Sequence, residues 1–173
     1  MGKITFLAVG SRGDLNPACI LGQALKDEGY RVCIATHDRF RDFVLNLGLE
    51  FFTIAGDYRE LLNSEAGLDT LEGKGSFRLI DDALLLQQLE DSYAACQESD
   101  LIIAFPLSFF AYHIAEALNI RFMAMSYFPI VKTRDFPFLG FDQRKSDTLQ
   151  RWLNPFSYKL VGFLAWNRDR ICD

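Results

Sequence analysis

Residues 3–36 read KITFLAVGSRGDLNPACILGQALKDEGYRVCIAT, and this stretch decides the fold class. A β-rich apolar run (3–9) leads through a glycine-containing turn into a helical pattern, and a second apolar run (31–36) follows. Asn16 and Pro17 are the residue types of a helix N-cap and a first helical position, so the helix is expected to begin at Pro17. Strand, helix and strand at this spacing are typical of a βαβ unit with parallel strands.

The same alternation continues along the chain. It predicts, in order, a helix at 38–47, a strand at 49–54, a helix at 76–99, a strand at 100–105, a helix at 109–118 and a strand at 121–127. A Trp- and Phe-rich tail that ends at Asp173 is also predicted to be helical. We therefore expect one α/β domain over residues 1–173, built on a doubly wound parallel sheet of five or more strands.

The ligand-binding edge of such a sheet lies outside the carboxyl ends of its strands. The loops expected there are 10–16, 55–75, 105–109 and 128–140. Gly10 and Gly13 allow the first loop to turn sharply and to approach a ligand closely. Because the helix start is assigned to Asn16 and Pro17, Asp14 is expected to point into the cleft and to accept a proton from a hydroxyl. A plain capping role for this carboxylate is the alternative.

Composition limits the class of partner. The chain has 18 Lys and Arg against 23 Asp and Glu, a net charge of −5, and no basic cluster, which argues against nucleic acid. Residues 10–17 lack both the G-x-G-x-x-G pattern and the P-loop pattern, so a nucleotide phosphate loop is disfavoured there. The Arg-Gly-Asp triplet within them lies between a strand and a helix, so chance occurrence is preferred over adhesion.

The four cysteines and two histidines show no metal-ligand spacing, and buried reduced thiols are expected. The sequence shows no signal-peptide pattern and no apolar run long enough to span a membrane, so a cytoplasmic location is expected. Contact of the tail with a membrane surface is the alternative to its packing within the protein. His37, which follows the second strand, is expected to make a structural hydrogen bond rather than to act in catalysis.

Three separated motifs resemble one known family. They are GSRGDLNPACILGQALKDEGYRVCIATHDRFRDFVLNLGLEFF (10–52), ESDLIIAFPLSFFAYHIAEALNIRFM (98–123) and FPIVKTRDFP (128–137). In this order they are similar to the amino-terminal domain of GT-B glycosyltransferases of the sterol glucosyltransferase and glycopeptide-antibiotic type. The third motif departs from the family pattern at Ile130 and Lys132. The resemblance implies a Rossmann-like sheet, one half of a GT-B fold, with the donor-binding domain absent from this chain.

The resemblance also implies roles for individual residues. Asp14 matches the family's general base, which deprotonates a lipophilic, sterol-like acceptor as its hydroxyl attacks a nucleotide-sugar, expected to be a UDP-hexose, with inversion. No metal or cofactor is implied. Ser11, Arg12 and Gly13 are expected to face the donor. Side chains on two of the loops at the ligand-binding edge are expected to bind the acceptor, namely Phe105, Ser108, Phe109, Phe128 and Phe136.

Two other function classes stay open on the sequence. One is a free-standing module, or a subunit of a split glycosyltransferase, that binds a lipid or acceptor without catalysing transfer alone. The other is a nicotinamide-dependent oxidoreductase, which would bind NAD through this domain.

Overall fold

Five parallel strands form the sheet that organises the chain. The computed structural model describes residues 2–57, 82–108, 110–127, 131–138 and 151–160. The strands are β1 (Lys3–Leu7), β2 (Arg31–Thr36), β3 (Glu50–Thr53), β4 (Leu101–Ala104) and β5 (Arg121–Ala124). Their order in the sheet is β3-β2-β1-β4-β5, and every neighbouring pair is parallel. The predicted doubly wound parallel sheet is therefore confirmed.

Helices cover both faces of this sheet. They are α1 (Arg12–Asp27), a 3-10 turn (Asp38–Phe40) that leads into α2 (Arg41–Asn46), α3 (Asp82–Cys96) and α4 (Ala111–Leu118). Side chains of successive strand residues point to opposite faces. Phe6 and Ala8 accordingly pack with residues of α1 and α2, whereas Leu7 and Val9 pack with residues of α3 and α4. The central strands are buried on both sides, which explains their almost continuous apolar sequence.

The strand order reverses between β1 and β4. The chain leaves β1 towards one face and returns along β2 and β3, while β4 and β5 extend the sheet in the other direction. At such a switch point the loops that follow the two central strands separate and leave a crevice at the carboxyl edge. The loops after β1 and β4 therefore form the candidate ligand-binding edge.

A second unit, Ser126–Asp173, is distinct from the first, Met1–Met125. Its described residues are the segment 131–138 and a helix, α5, over 151–160. The Asn154 amide donates to the Arg134 carbonyl at 2.8 Å, and the Phe138 backbone N–H donates to the Ser157 hydroxyl at 2.8 Å. Polar side chains thus fasten α5 to the segment before it, and the prediction of helix in the tail is confirmed for these ten residues.

Candidate functional site

The turn after β1 is held by a capping box. Ser11 is the N-cap of α1, and its hydroxyl oxygen accepts a hydrogen bond from the Gly13 backbone N–H at 3.1 Å. Asp14 occupies the third helical position, and its Oδ2 accepts from the Ser11 backbone N–H at 2.7 Å. The Ser11 hydroxyl donates to the same Oδ2, also at 2.7 Å. Two helix-start N–H groups are satisfied reciprocally, which is what a capping box achieves.

The expectation that the helix begins at Pro17 is wrong. Helix α1 begins at Arg12, and Pro17 lies in its second turn. The reciprocal Ser11 and Asp14 bonds satisfy the first N–H groups earlier in the chain, and the Gly13 carbonyl loses only the bond that a proline cannot donate. The pattern Ser-x-x-Asp before an apolar run was the sequence signal for this start. Asp14 is therefore part of the helix cap, and the expectation that it lies before the helix and takes no part in capping is wrong.

Gly10 brings the loops after β1 and β4 together around Asp14. Its φ of +137° belongs to a region that residues with side chains rarely adopt. A Cβ at this position would lie 2.7 Å from Asp14 Oδ2 and 3.1 Å from the Leu107 Cδ1 atom of the β4 loop. Asp14 is 5% exposed and Leu107 is 42% exposed. The carboxylate thus lies at the switch point, beside an apolar side chain that faces solvent.

His37 lies directly behind this turn. It is 1% exposed, its Nε2 accepts a hydrogen bond from the Gly10 backbone N–H at 3.2 Å, and its Nδ1 lies 3.3 Å from the Ile54 carbonyl oxygen. The Gly10 N–H is only a donor and the carbonyl is only an acceptor, so the ring is neutral with its proton on Nδ1. Burial lowers the pKa of His37, in keeping with the neutral form. The expectation of a structural hydrogen bond at this strand end is confirmed.

The loop after β4 is fastened to β1 by residues that the sequence assigned to the acceptor. The Ser108 hydroxyl donates to the Leu7 carbonyl at 3.1 Å, and the Phe105 backbone N–H donates to the same carbonyl at 3.2 Å. Both side chains are buried, Phe105 within the core shared with α1. The side chains of Phe105 and Ser108 therefore lie beneath the surface at the carboxyl edge of the sheet. Leu107, which sequence reasoning missed, is the side chain that this loop exposes next to Gly10.

The residues predicted to face the donor cluster at the start of α1. Ser11, Arg12 and Gly13 are all exposed. The Arg12 guanidinium carbon lies 4.7 Å from the centre of the Phe43 ring, a cation–π contact with α2. This contact keeps the arginine at the carboxyl edge of the sheet.

The remaining acceptor predictions fall in the second unit or outside the described residues. Phe136 belongs to the second unit, where its carbonyl accepts from the Tyr158 hydroxyl at 3.4 Å. Phe109 and Phe128 lie outside the described residues.

Residues 4–137, most of the chain, match the glycosyltransferase family 28 N-terminal domain. The chain belongs to this family. It is 38% identical over 170 residues to a sterol 3-beta-glucosyltransferase of Yarrowia lipolytica, a match that covers 94% of this chain and 11% of the relative. A sterol 3-beta-glucosyltransferase of Neurospora crassa is 39% identical over 141 residues, covering 78% of this chain and 9% of the relative. This family 28 domain thus spans about a tenth of the length of the curated relatives it matches.

Solved glycosyltransferases share the fold. The Streptomyces sp. SF2575 glycosyltransferase SsfS6, complexed with thymidine diphosphate, aligns with a TM-score of 0.55 at 20% identity, over 73% of this chain and 38% of that one. The calicheamicin glycosyltransferase CalG4 aligns with a TM-score of 0.54 at 15% identity, over 88% of this chain and 36% of that one. The predicted Rossmann-like, GT-B type of fold is confirmed for this family 28 domain.

Within the described ranges, no group of three or more His, Cys, Asp or Glu side chains is placed to hold a metal ion. No described helix is both long enough and apolar enough to cross a membrane.

Proposed function

We propose that this chain is the acceptor-binding domain of an inverting glycosyltransferase that transfers a hexose from a nucleotide-sugar to the hydroxyl of a lipophilic, sterol-like acceptor. The family match and the sterol 3-beta-glucosyltransferase relatives support glycosyl transfer and the acceptor class. The observation that carries the proposal is the position of Asp14. Its carboxylate lies at the switch point of the sheet, between the loops after β1 and β4, where ligands of such sheets bind.

Asp14 acts as the general base in this proposal. Its carboxylate takes the proton of the acceptor hydroxyl while the acceptor oxygen forms a bond to the anomeric carbon of the sugar. The bond from that carbon to the diphosphate oxygen breaks from the opposite face, so the configuration inverts and a nucleoside diphosphate leaves. A positioned base of this kind contributes about 10²- to 10⁴-fold in rate. The two bonds from Ser11 to Oδ2 support this role because they hold the carboxylate in one orientation.

The donor approaches from the start of α1. The nucleotide-sugar, expected to be a UDP-hexose, brings negatively charged phosphates to this end of the helix. Ser11, Arg12 and Gly13 are exposed there, and the guanidinium of Arg12 supplies a full positive charge. A donor-binding domain, in the same or another chain, holds the rest of the nucleotide-sugar.

The acceptor binds along the apolar part of the edge. Leu107 supplies exposed apolar surface beside the turn that holds Asp14, while the buried Phe105 and Ser108 keep the β4 loop in place. The assignment of Phe109, Phe128 and Phe136 to the acceptor stays a prediction from the sequence.

Peripheral contact with a membrane at the cytoplasmic side fits a lipophilic acceptor. On α5, Trp152 and Phe156 are exposed with ring centres 5.8 Å apart, and Lys159 lies over the Phe156 ring. Aromatic rings beside cations favour the interface of an anionic membrane. Flotation with vesicles that contain phosphatidylserine tests this contact, and a Trp152→Ser, Phe156→Ser variant that floats as well as the unchanged protein would contradict it.

The decisive experiment distinguishes the proposed base role of Asp14 from its capping role. Asp14→Asn keeps an amide oxygen that can accept the Ser11 bonds but removes the proton acceptor, whereas Asp14→Ala removes both. We expect Asp14→Asn to retain stability within about 1 kcal/mol and Asp14→Ala to lose about 1 kcal/mol, as capping changes do. In the glycosyltransferase that contains this domain, both variants should lose transfer of at least about 100-fold.

Mass spectrometry of a panel of hydroxylated acceptors, each incubated with several nucleotide-sugars, measures that transfer. Full activity of Asp14→Asn would refute the base role. Acceptor binding by the unchanged protein without transfer from any donor would point instead to the non-catalytic binding module, and NAD binding would point to the oxidoreductase.

A further inference from the structure

His37 connects three strand ends behind the proposed base. It directly follows β2, its Nε2 accepts from the N–H of Gly10 after β1, and its Nδ1–H donates to the carbonyl of Ile54 after β3. The side chain is 1% exposed, so the ring makes almost no contact with water. Both ring nitrogens are bonded in return, which is the condition under which a buried polar ring is tolerated.

The hydrogen bond between His37 and Gly10 affects the position of Asp14 through the backbone of residues 10 and 11. The Gly10 N–H is held by His37, and the next N–H along the chain, that of Ser11, donates to Asp14 Oδ2 at 2.7 Å. The same Oδ2 lies only 2.7 Å from where a Cβ on Gly10 would stand, so the carboxylate lies on that side of Gly10 and close to it. Rotation of the Gly10 peptide therefore moves the carboxylate.

The capping box does not by itself require this histidine. The bonds that define the capping box run between Ser11, Gly13 and Asp14. What the capping box leaves undetermined is the orientation of the turn relative to the sheet, because its bonds lie within residues 11–14. The His37 bond is the described contact that joins the Gly10 peptide to the neighbouring strand.

We propose that His37 is a positioning residue for Asp14, fixing the Gly10 peptide so that the carboxylate is held at the angle needed to take the acceptor's proton. This inference rests on the proposed function, in which Asp14 is the base. Displacement of a catalytic group by about 1 Å can cost about 100-fold in rate. Loss of the Gly10 bond is therefore expected to appear in kcat, while the binding of donor and acceptor is preserved.

Two substitutions distinguish the roles of the two ring nitrogens of His37. The amide of asparagine reaches the place of Nδ1, so His37→Asn keeps a donor for Ile54 and loses the acceptor for Gly10. The amide of glutamine reaches the place of Nε2, so His37→Gln keeps an acceptor for Gly10. Thr36→Val is the matched control, because the Thr36 hydroxyl donates to the Ala8 carbonyl at 2.8 Å and ties the same two strands without touching Gly10.

Steady-state kinetics of the glycosyltransferase that contains this domain give the main result. We expect His37→Asn to lower kcat by about 10- to 100-fold, with KM for donor and acceptor changed by less than about threefold. His37→Gln should recover kcat to within about threefold of the unchanged enzyme. Thr36→Val should lower the unfolding temperature and leave kcat unchanged below it.

Two results would overturn the inference. One is an unchanged kcat in His37→Asn, and the other is a loss of kcat that follows the fall in unfolding temperature equally in all three variants. The NMR spectrum of the domain adds a test without turnover. The Gly10 amide should shift strongly in His37→Asn and weakly in His37→Gln, and equal shifts would contradict the proposal. If Asp14→Asn is fully active, the proposed base fails whatever the His37 variants show.

Discussion

Replacement of Gly10 by alanine tests the geometry of the site directly. The Gly10 φ of +137° is costly for any residue with a Cβ, by about 1 to 3 kcal/mol. The new Cβ would also lie 2.7 Å from Asp14 Oδ2 and 3.1 Å from Leu107 Cδ1, overlaps that add a similar amount when a packed site must shift. The total is about 3 kcal/mol, which for a chain of this size lowers the unfolding temperature by about 6 to 12 °C.

Gly13→Ala is the matched control within the same turn. Gly13 is the second residue of α1, and a Cβ there would meet only the Ser11 hydroxyl oxygen, at 3.4 Å. Alanine is preferred to glycine in helices, so Gly13→Ala should leave stability unchanged or raise it by up to about 1 kcal/mol.

Differential scanning calorimetry of the two variants measures the difference, and glycosyl transfer is then assayed at a temperature at which both are folded. Gly10→Ala should be nearly inactive because its Cβ displaces the Asp14 carboxylate. Equal stability of the two variants, or full activity of Gly10→Ala, would refute the geometry.

Four further predictions concern the proposed base, two buried hydroxyls and the buried histidine. Asp14→Glu should keep the capping box, which accepts glutamate at this position, and should reduce transfer by at least about 100-fold because the carboxylate moves by one methylene group; full activity would contradict the base role. Ser92→Ala should raise the unfolding temperature by about 2 to 4 °C, because among the described side chains the Ser92 hydroxyl is buried without a hydrogen-bond partner. Ser99→Ala, which removes a hydroxyl bonded to Thr5 at 2.7 Å, should lower it. Because burial holds the pKa of His37 below its ordinary 6.5, with Asp57 opposing and Arg39 reinforcing the shift, the unfolded chain takes up a proton first as the pH falls. The stability contributed by neutral His37 is complete above pH 6.5 and is lost towards the folded-state pKa, at up to about 1.4 kcal/mol per pH unit. Urea titrations of the unchanged protein and of His37→Gln should diverge in that window, and parallel curves would show that His37 is not responsible.

The sheet could be predicted because each strand carries its own signal. The run at 31–36 is apolar from Val32 to Ala35, as a strand buried on both faces should be, and the helical patterns on either side of it end at glycines. Once the connections are helices, parallel strands and a carboxyl-edge site follow from general rules. The order of the strands around the switch point then identifies the loops after β1 and β4.

The start of α1 could not be found from Asn16 and Pro17 because two signals compete there. Proline is favoured at the first helical position but is tolerated later when the carbonyl that loses its partner is accessible, as Gly13 is. The Ser11–Asp14 box satisfies two N–H groups at once and prevails. The predicted helix start left Asp14 outside the helix, whereas in the structure Asp14 is the third residue of α1.

Burial decides which side chains of the loop after β4 are open to a ligand, because Phe105 and Ser108 are buried and Leu107 is exposed. All three follow β4, and a sequence pattern does not show which side of a short loop faces the core. The backbone and hydroxyl bonds to the Leu7 carbonyl turn Phe105 and Ser108 inward, and the intervening Leu107 turns outward beside Gly10. His37 was placed correctly at a strand end, but its bond to Gly10 depends on the adjacency of β1 and β2, which only the folded sheet defines.

Capping and the proposed base role are compatible demands on Asp14. A capping box is satisfied by a longer side chain as well, so the cap alone does not explain why the carboxylate is on the short side chain of aspartate. The short side chain places Oδ2 against Gly10, where a Cβ would collide with it, and brings the carboxylate beside the loop after β4. Glycine at 10, a hydroxyl at 11 and an imidazole at 37 each hold or make room for that turn. Such agreement around one oxygen atom goes beyond what starting a helix requires, and it is the arrangement that a fixed proton acceptor needs.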